Sequence, residues 1–282
     1  MKMHVMTWFI FVFTLLMLQL GNSQVYVFWD YLQLKLIWPP SYCSYNHCKL
    51  NPNVKNFTVN GLWATKKPYA EQVNCPAPKQ FDPQYLATIR NQLAIQWENL
   101  KDYQCPMPLW EKQWDVYGKC VSYDSLINTI FKYFNFALKE ALELDLLKRL
   151  ASVGIRPDSS TYIGKAEFQW ALQTIYNHDV SLRCKPYKAE KFTHMYVMNG
   201  TFGHKINGTN TLDRNKIRFT RQPRNRTVDQ GNLNLRQLDE VIFCFSEYLK
   251  PIDCPMYTQK ITLAKMVSFL LNSLIRQNTL NS

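Results

Sequence analysis

Two short blocks hold the side chains best suited to chemistry on a phosphate. The first is Phe57-Thr58-Val59-Asn60-Gly61-Leu62-Trp63, and the second runs from Leu109 to Cys120 through Lys112, Gln113, Val116 and Tyr117. Asn60 can hydrogen-bond a phosphate oxygen but cannot titrate. Tyrosine keeps its proton to about pH 10, which makes Tyr117 a poor base near neutrality. Val116 brings no charge. Histidine suits proton transfer near neutral pH, yet neither block contains one. His47 lies between Cys43 and Cys48, and His178, His194 and His204 come late in the chain, where ordinary surface or structural roles are expected. These four do not cluster at metal-ligand spacing and no Cys-x2-Cys pair exists, so no metal or other cofactor is expected.

Aromatic residues add a binding surface. Trp63, Trp110 and Trp114 could stack on bases. Trp110 and Trp114 stand four apart, on one face of a helix, where core packing is favoured. Trp63, at the end of a strand, is the better ligand candidate. A second binding feature is the stretch from Lys185 to Arg226, which carries ten lysines and arginines against Glu190 and Asp213. Most of the chain's formal +12 lies there, including Arg218, Arg221, Arg224 and Arg226. Phosphate contacts dominate nucleic-acid affinity whatever the sequence, so RNA or another polyanion is the implied partner. A solvated, glycan-masked loop fits the same residues.

The elements that must position these groups can be outlined. Val25–Leu36 is rich in Val, Tyr, Phe, Trp and Leu, and reads as a strand ended by Trp38-Pro39-Pro40. Phe57–Trp63 reads as a second strand. Pro83–Asn99 has apolar residues at helical spacing, and Pro106 or Pro108 starts a helix that ends at Gly118. Between Ser122 and Leu150 apolar residues recur every four positions, which fits one long helix or two broken ones. Ser160 or Thr161 is expected to cap a helix reaching about Asn177. Phe192–Val197 and Glu240–Phe245 read as later strands. This order predicts an α+β domain.

The start of the chain reads as a secretory signal. Lys2 and His4 precede an apolar run from Val5 to Leu20, then Gly21-Asn22-Ser23 at a cleavage-site spacing. The run is shorter than the ~20 residues of a spanning helix, so no membrane attachment is expected of the mature protein. Residues 1–23 are the expected leader, 24–255 one domain with the basic insertion at about 185–226, and 256–282 an extension with an amphipathic helical look. Eight cysteines beyond the leader (Cys43, Cys48, Cys75, Cys105, Cys120, Cys184, Cys244 and Cys254) argue for disulfides in an exported protein. Sequons at Asn56, Asn199, Asn207 and Asn225 fit a secreted, extracellular glycoprotein.

The two blocks, with the cysteines around them, resemble the active-site blocks of the ribonuclease T2 family, and most of all the plant self-incompatibility (S-) ribonucleases. The resemblance spans roughly Val25 to Pro255. It implies the family's α+β fold, an antiparallel sheet packed with helices, and a plant source. It implies disulfides Cys43–Cys48, Cys75–Cys120 and Cys184–Cys244, with Cys105 and Cys254 left as a fourth pair. It places the family's two catalytic histidines at Asn60 and Tyr117 and a lysine at Val116, while Lys112 and Gln113 match S-type members. A glycan on Asn56 would stand at the cleft's rim. Family members cleave RNA by turning the 2′-hydroxyl on the adjacent phosphorus, with one group taking that proton and another protonating the leaving oxygen. The substitutions therefore predict a degenerate site, with cleavage lost or strongly reduced. The chain would then persist as a binding, recognition or storage protein, possible partners including a recognition protein. The alternative is a weak T2-type endoribonuclease, acting through Asn60, Tyr117, Lys112 and Gln113 in RNA degradation or pollen–pistil recognition.

Overall fold

A computed structural model describes residues 29–52, 54–67, 71–72, 75, 80–124, 126–187, 196–199, 222–223 and 235–255. The expected leader, the C-terminal extension, most of the basic stretch with Arg218, Arg221, Arg224 and Arg226, and the sequons at Asn207 and Asn225 lie outside these residues. The elements in chain order are β1 (Tyr31–Ile37), α1 (Pro39–Cys43), β2 (Thr58–Lys66), β3 (Glu71–Gln72), a 3-10 turn (Pro83–Leu86), α2 (Arg90–Gln96) and α3 (Met107–Gln113). A wide π turn (Trp114–Gly118) and a short helical turn (Lys119–Val121) continue α3. Then follow α4 (Ile130–Leu144), α5 (Leu146–Ser152), β4 (Asp158–Gly164), α6 (Lys165–Tyr176), β5 (Ser181–Pro186), β6 (Tyr196–Asn199), β7 (Gln222–Pro223), β8 (Leu235–Phe245) and β9 (Pro251–Ile252).

The strands form one mainly antiparallel sheet in the order β3-β2-β1-β8-β6-β4-β7, with β5 and β9 also paired to β8; among the described strands only β4 and β6 run parallel. This is the α+β arrangement expected. Successive side chains of a strand point to opposite faces. Leu32, Leu34 and Leu36 of β1 therefore join Val59, Leu62 and Ala64 of β2 and Val241, Phe243 and Phe245 of β8 in the core. Helix α4 closes that core with Tyr133, Phe134, Ala137 and Leu138, and the Tyr133 hydroxyl donates to the Leu62 carbonyl at 2.8 Å. Trp97, Trp110 and Trp114 are fully buried, so the packing role expected for the α3 tryptophans is the one they have.

Two β-bulges set the other face. Register jumps from Lys35↔Gly61 to Leu36↔Val59, which leaves Asn60 as the extra residue of β2. Between β5 and β8 it jumps from Arg183↔Glu240 to Cys184↔Leu238, which makes Asp239 the extra residue. A bulge puts two successive residues on the strand's same side and re-aims them. The core positions of β2 accordingly skip from Val59 to Leu62, and those of β8 from Leu238 to Val241. Asn60, Trp63, Asp239 and Glu240, together with Lys35 and Arg183, thereby lie outside the apolar core that α4 closes.

Several boundaries differ from the sequence expectations. The 122–150 region is two helices, α4 and α5, broken at Asp145 with φ 38°. Ser160 and Thr161 lie within β4 rather than capping a helix, because Thr161, Tyr162 and Ile163 extend the strand. α6 starts at Lys165, where Glu167 accepts from the Gly164 amide, and ends at Asn177 with φ 58°. The expected Pro83–Asn99 helix is a 3-10 turn followed by α2.

The disulfides require a correction. Cys43–Cys48 and Cys75–Cys120 form, but Cys244 pairs with Cys254, and Cys105 and Cys184 are free. The register explains this. Cys184 lies opposite Leu238, six residues along β8 from Cys244, which is roughly 20 Å at a strand's rise. β9 folds back so that Ile252 faces Cys244, bringing Cys254 within reach. The pairings Cys184–Cys244 and Cys105–Cys254 are therefore both replaced.

Candidate active site

The site lies where the π turn after α3 crosses the bulge of β2. Trp110 and Trp114 plug this element into the core, and the next positions around the helix, Gln113 and Tyr117, are left facing β2. The bulge takes Asn60 out of the regular ladder, and Gln113 Nε2 donates to its carbonyl at 2.8 Å. On the side-chain end, Asn60 Nδ2 donates to Glu240 Oε1. Asn60 is thus held at both ends. The turn can widen because Gly118 has no side chain, since a Cβ there would overlap Trp114 Cε3. Gly61 serves the same purpose opposite: its Cβ would overlap Trp63 Nε1 and stand 2.7 Å from Gln113 Oε1.

Tyr117 stacks on Trp63 with ring centroids 4.6 Å apart and planes 8° from parallel. The Lys35 ammonium sits 3.1 Å from the Trp63 ring centroid. A phenol ring and an ammonium at those distances cannot share one face, so the three side chains form a stack: Lys35, Trp63, Tyr117. Both faces of Trp63 are covered, and a base could stack on it only after Tyr117 moved away. Burial pushes the Tyr117 hydroxyl above its ordinary range, and the Glu240 carboxylate adds to the shift. Tyr117 therefore holds its proton near neutrality more firmly than a free tyrosine does.

Behind the stack is an ion cluster. Asp239 and Glu240 are fully buried. A charge removed from water must be paired. Arg183 supplies the pairing, with Nε to Asp239 Oδ2 at 3.0 Å and Nη2 to Glu240 Oε1 at 2.8 Å, while Lys185 Nζ is 2.9 Å from Asp239 Oδ1. Lys35 is 7% exposed. Burial lowers its pKa to about 8, Glu240 opposing the fall and Arg183 adding to it. Burial raises the Glu240 pKa, and Arg183 and Lys35 oppose that rise.

The structure therefore gathers Asn60, Gln113, Trp63 and Tyr117, while Lys112 is exposed and Val116 half-buried. Lys35, Arg183, Asp239 and Glu240 complete the site and were missed in the sequence. The available signals were Lys35 interrupting the apolar run Tyr31–Ile37, and the acidic pair ahead of Val241 in an apolar strand. Among the described residues no group of three His, Cys, Asp or Glu side chains could hold a metal.

The bulged β2, the tryptophan-anchored helix that crosses it and the Cys75–Cys120 disulfide just beyond that helix frame the site. The chain belongs to the ribonuclease T2 family, whose model matches residues 29–211. Ribonuclease S-F11 of Nicotiana alata is 34% identical over 160 residues, which covers 55% of this chain and 77% of that protein. The crystal structure of Japanese pear S3-RNase matches with a TM-score of 0.58 at 21% identity, over 83% of this chain and 94% of that one. A variant of RNase MC1 in complex with 5′-UMP matches with a TM-score of 0.58 at 20% identity, over 81% and 94%.

Proposed function

We propose that this chain is a secreted, S-ribonuclease-like glycoprotein of plant type that binds RNA or a related polyanion and cleaves it little or not at all. The observation that carries the reading is the state of Asn60 and Tyr117, the positions to which the family resemblance assigns the two catalytic histidines. Asn60 is hydrogen-bonded at both ends to Glu240 and Gln113, and Tyr117 is stacked on Trp63 with its pKa raised. Asn60 does not titrate, and Tyr117 keeps its proton near neutrality and so does not serve as the base there. Each acid–base group contributes roughly 10²–10⁴ in rate, so the loss of both suppresses turnover by several orders of magnitude. Binding is supported by the scaffold that the RNase MC1 complex with 5′-UMP shares and by the chain's formal +12.

A second reading, a weak endoribonuclease, is favoured by one observation: Lys35, with a pKa of about 8, stands beside the raised Glu240 as a titratable pair in the site. An RNA-cleavage assay from about pH 4 to 9 separates the two, using pH values that span the ordinary carboxylate and Lys35 ranges. Turnover within tenfold of an ordinary family member, abolished by Asn60→Ala or Tyr117→Phe, refutes the impaired reading. Conversely, Asn60→His with Val116→Lys and Tyr117→His is expected to restore cyclising cleavage on the intact scaffold.

A further inference from the structure

The exposed side of the ion cluster has a feature that the cleft residues do not account for. Arg183 is 48% exposed and Lys185 28%, whereas the two carboxylates that hold them are fully buried. A ligand approaching this face meets the cations and not the acids. The guanidinium has five N–H donors, and the ion pairs engage it through Nε and Nη2. Nη1 takes no part in either of these ion pairs. Lys185 Nζ is held by Asp239 Oδ1, and its side chain stays 28% exposed. The ion pairs thus present Arg183 and Lys185 outward, with the two carboxylates beneath them.

Aromatic rings border the same cations. Lys185 Nζ lies 5.3 Å from the Tyr45 ring centroid and 5.7 Å from that of Tyr42. Helix α1 carries Tyr42 and is followed by Tyr45, whose hydroxyl donates to the Pro186 carbonyl at the end of β5. That bond fixes the Tyr45 ring beside the strand that bears Arg183 and Lys185. Preorganised cations with adjacent aromatic faces are the elements of a single-strand nucleic-acid site.

We infer that Arg183, Lys185, Tyr42 and Tyr45 form a nucleotide-binding subsite for single-stranded RNA, with a phosphate on the two cations and a base on the tyrosines. It adjoins the degenerate centre through the contacts Arg183–Glu240–Asn60. The subsite rests on the RNA-binding reading above and gives it a location. Trp63 cannot take this part while Lys35 and Tyr117 cover its faces.

The test is the binding of a short 5′-labelled oligouridylate to the full chain, followed by anisotropy between about 50 and 200 mM salt. Lys185→Gln is expected to weaken binding and flatten the slope of log affinity against log salt by about 0.7, the value for one phosphate contact on a single strand. Tyr45→Ala is expected to weaken binding at least about fivefold with the salt slope unchanged, because stacking releases no counterions. Tyr45→Phe keeps the stacking face but loses the hydroxyl's bond to Pro186, and is expected to bind between the parent and Tyr45→Ala. Thermal melts check that each variant is folded, and if Lys185→Gln unfolds, the two Tyr45 variants decide. If the parent binds the oligonucleotide and neither the affinity nor the slope responds to Lys185→Gln and Tyr45→Ala, the ligand sits elsewhere. The subsite is then wrong, while the RNA-binding reading stands. If the parent shows no binding, the RNA-binding reading itself fails and the subsite falls with it.

Discussion

Replacing Lys35 by methionine should stabilise the protein at neutral pH, and that gain should fade in alkali. The ammonium is 7% exposed and its pKa is lowered from 10.5 to about 8, chiefly by burial. Below pH 8 the folded and unfolded chains both carry the proton, and the folded state bears the cost of the buried charge. Between pH 8 and 10.5 the unfolded chain binds more protons than the folded one, so stability rises with pH. A shift of about 2.5 units at 1.36 kcal/mol each gives a cost of about 3 kcal/mol at pH 7. The cation–π contact with Trp63, worth up to about 2 kcal/mol when desolvated, offsets part of it. Lys35→Met is therefore expected to be more stable by about 1–3 kcal/mol at pH 7. The assay is urea unfolding of both proteins at a series of pH values from 6 to about 10. Taking the difference between them removes the background from other groups, such as the Cys184 thiol and the tyrosines raised by burial. A difference that stays flat across this range, or a methionine variant less stable at pH 7, would refute the reasoning.

Gly61→Ala should cost about 1–3 kcal/mol by overpacking, since its Cβ overlaps the Trp63 indole and crowds Gln113. The same urea melt measures it, and a cost below about 0.5 kcal/mol would show that the indole is loosely held. Tyr117→Ala should remove the near-ultraviolet circular dichroism of the stacked Trp63–Tyr117 pair while leaving the far-ultraviolet spectrum intact. An unchanged near-ultraviolet signal would mean that the rings are not stacked in solution. Native alkylation should label Cys105 quickly and Cys184 only on unfolding, because Cys184 is partly buried and burial holds its thiol above the usual range. Peptide mapping that recovers a Cys184–Cys244 disulfide would overturn the β5–β8 register.

The blocks around Asn60 and Tyr117, the Cys43–Cys48 loop and the burial of Trp110 and Trp114 were legible in the sequence. The tryptophans follow from a four-residue period on one helical face, whereas the blocks and the Cys43–Cys48 pairing were implied by the family resemblance. The register of distant strands was not legible, because a shift of one residue turns every following side chain to the other face. The bulges at Asn60 and Asp239 are such shifts, and they alone bring Asn60, Glu240 and Arg183 together from positions 60, 240 and 183. The same pairing separates Cys184 from Cys244 and gives Cys254 its partner. Lys35 shows the division most directly. Its place in an apolar run could be read from the chain, but its burial under Trp63 beside Glu240 exists only once β1 lies between β2 and β8. The residue types of the site are thus a property of the sequence, and their convergence a property of the sheet.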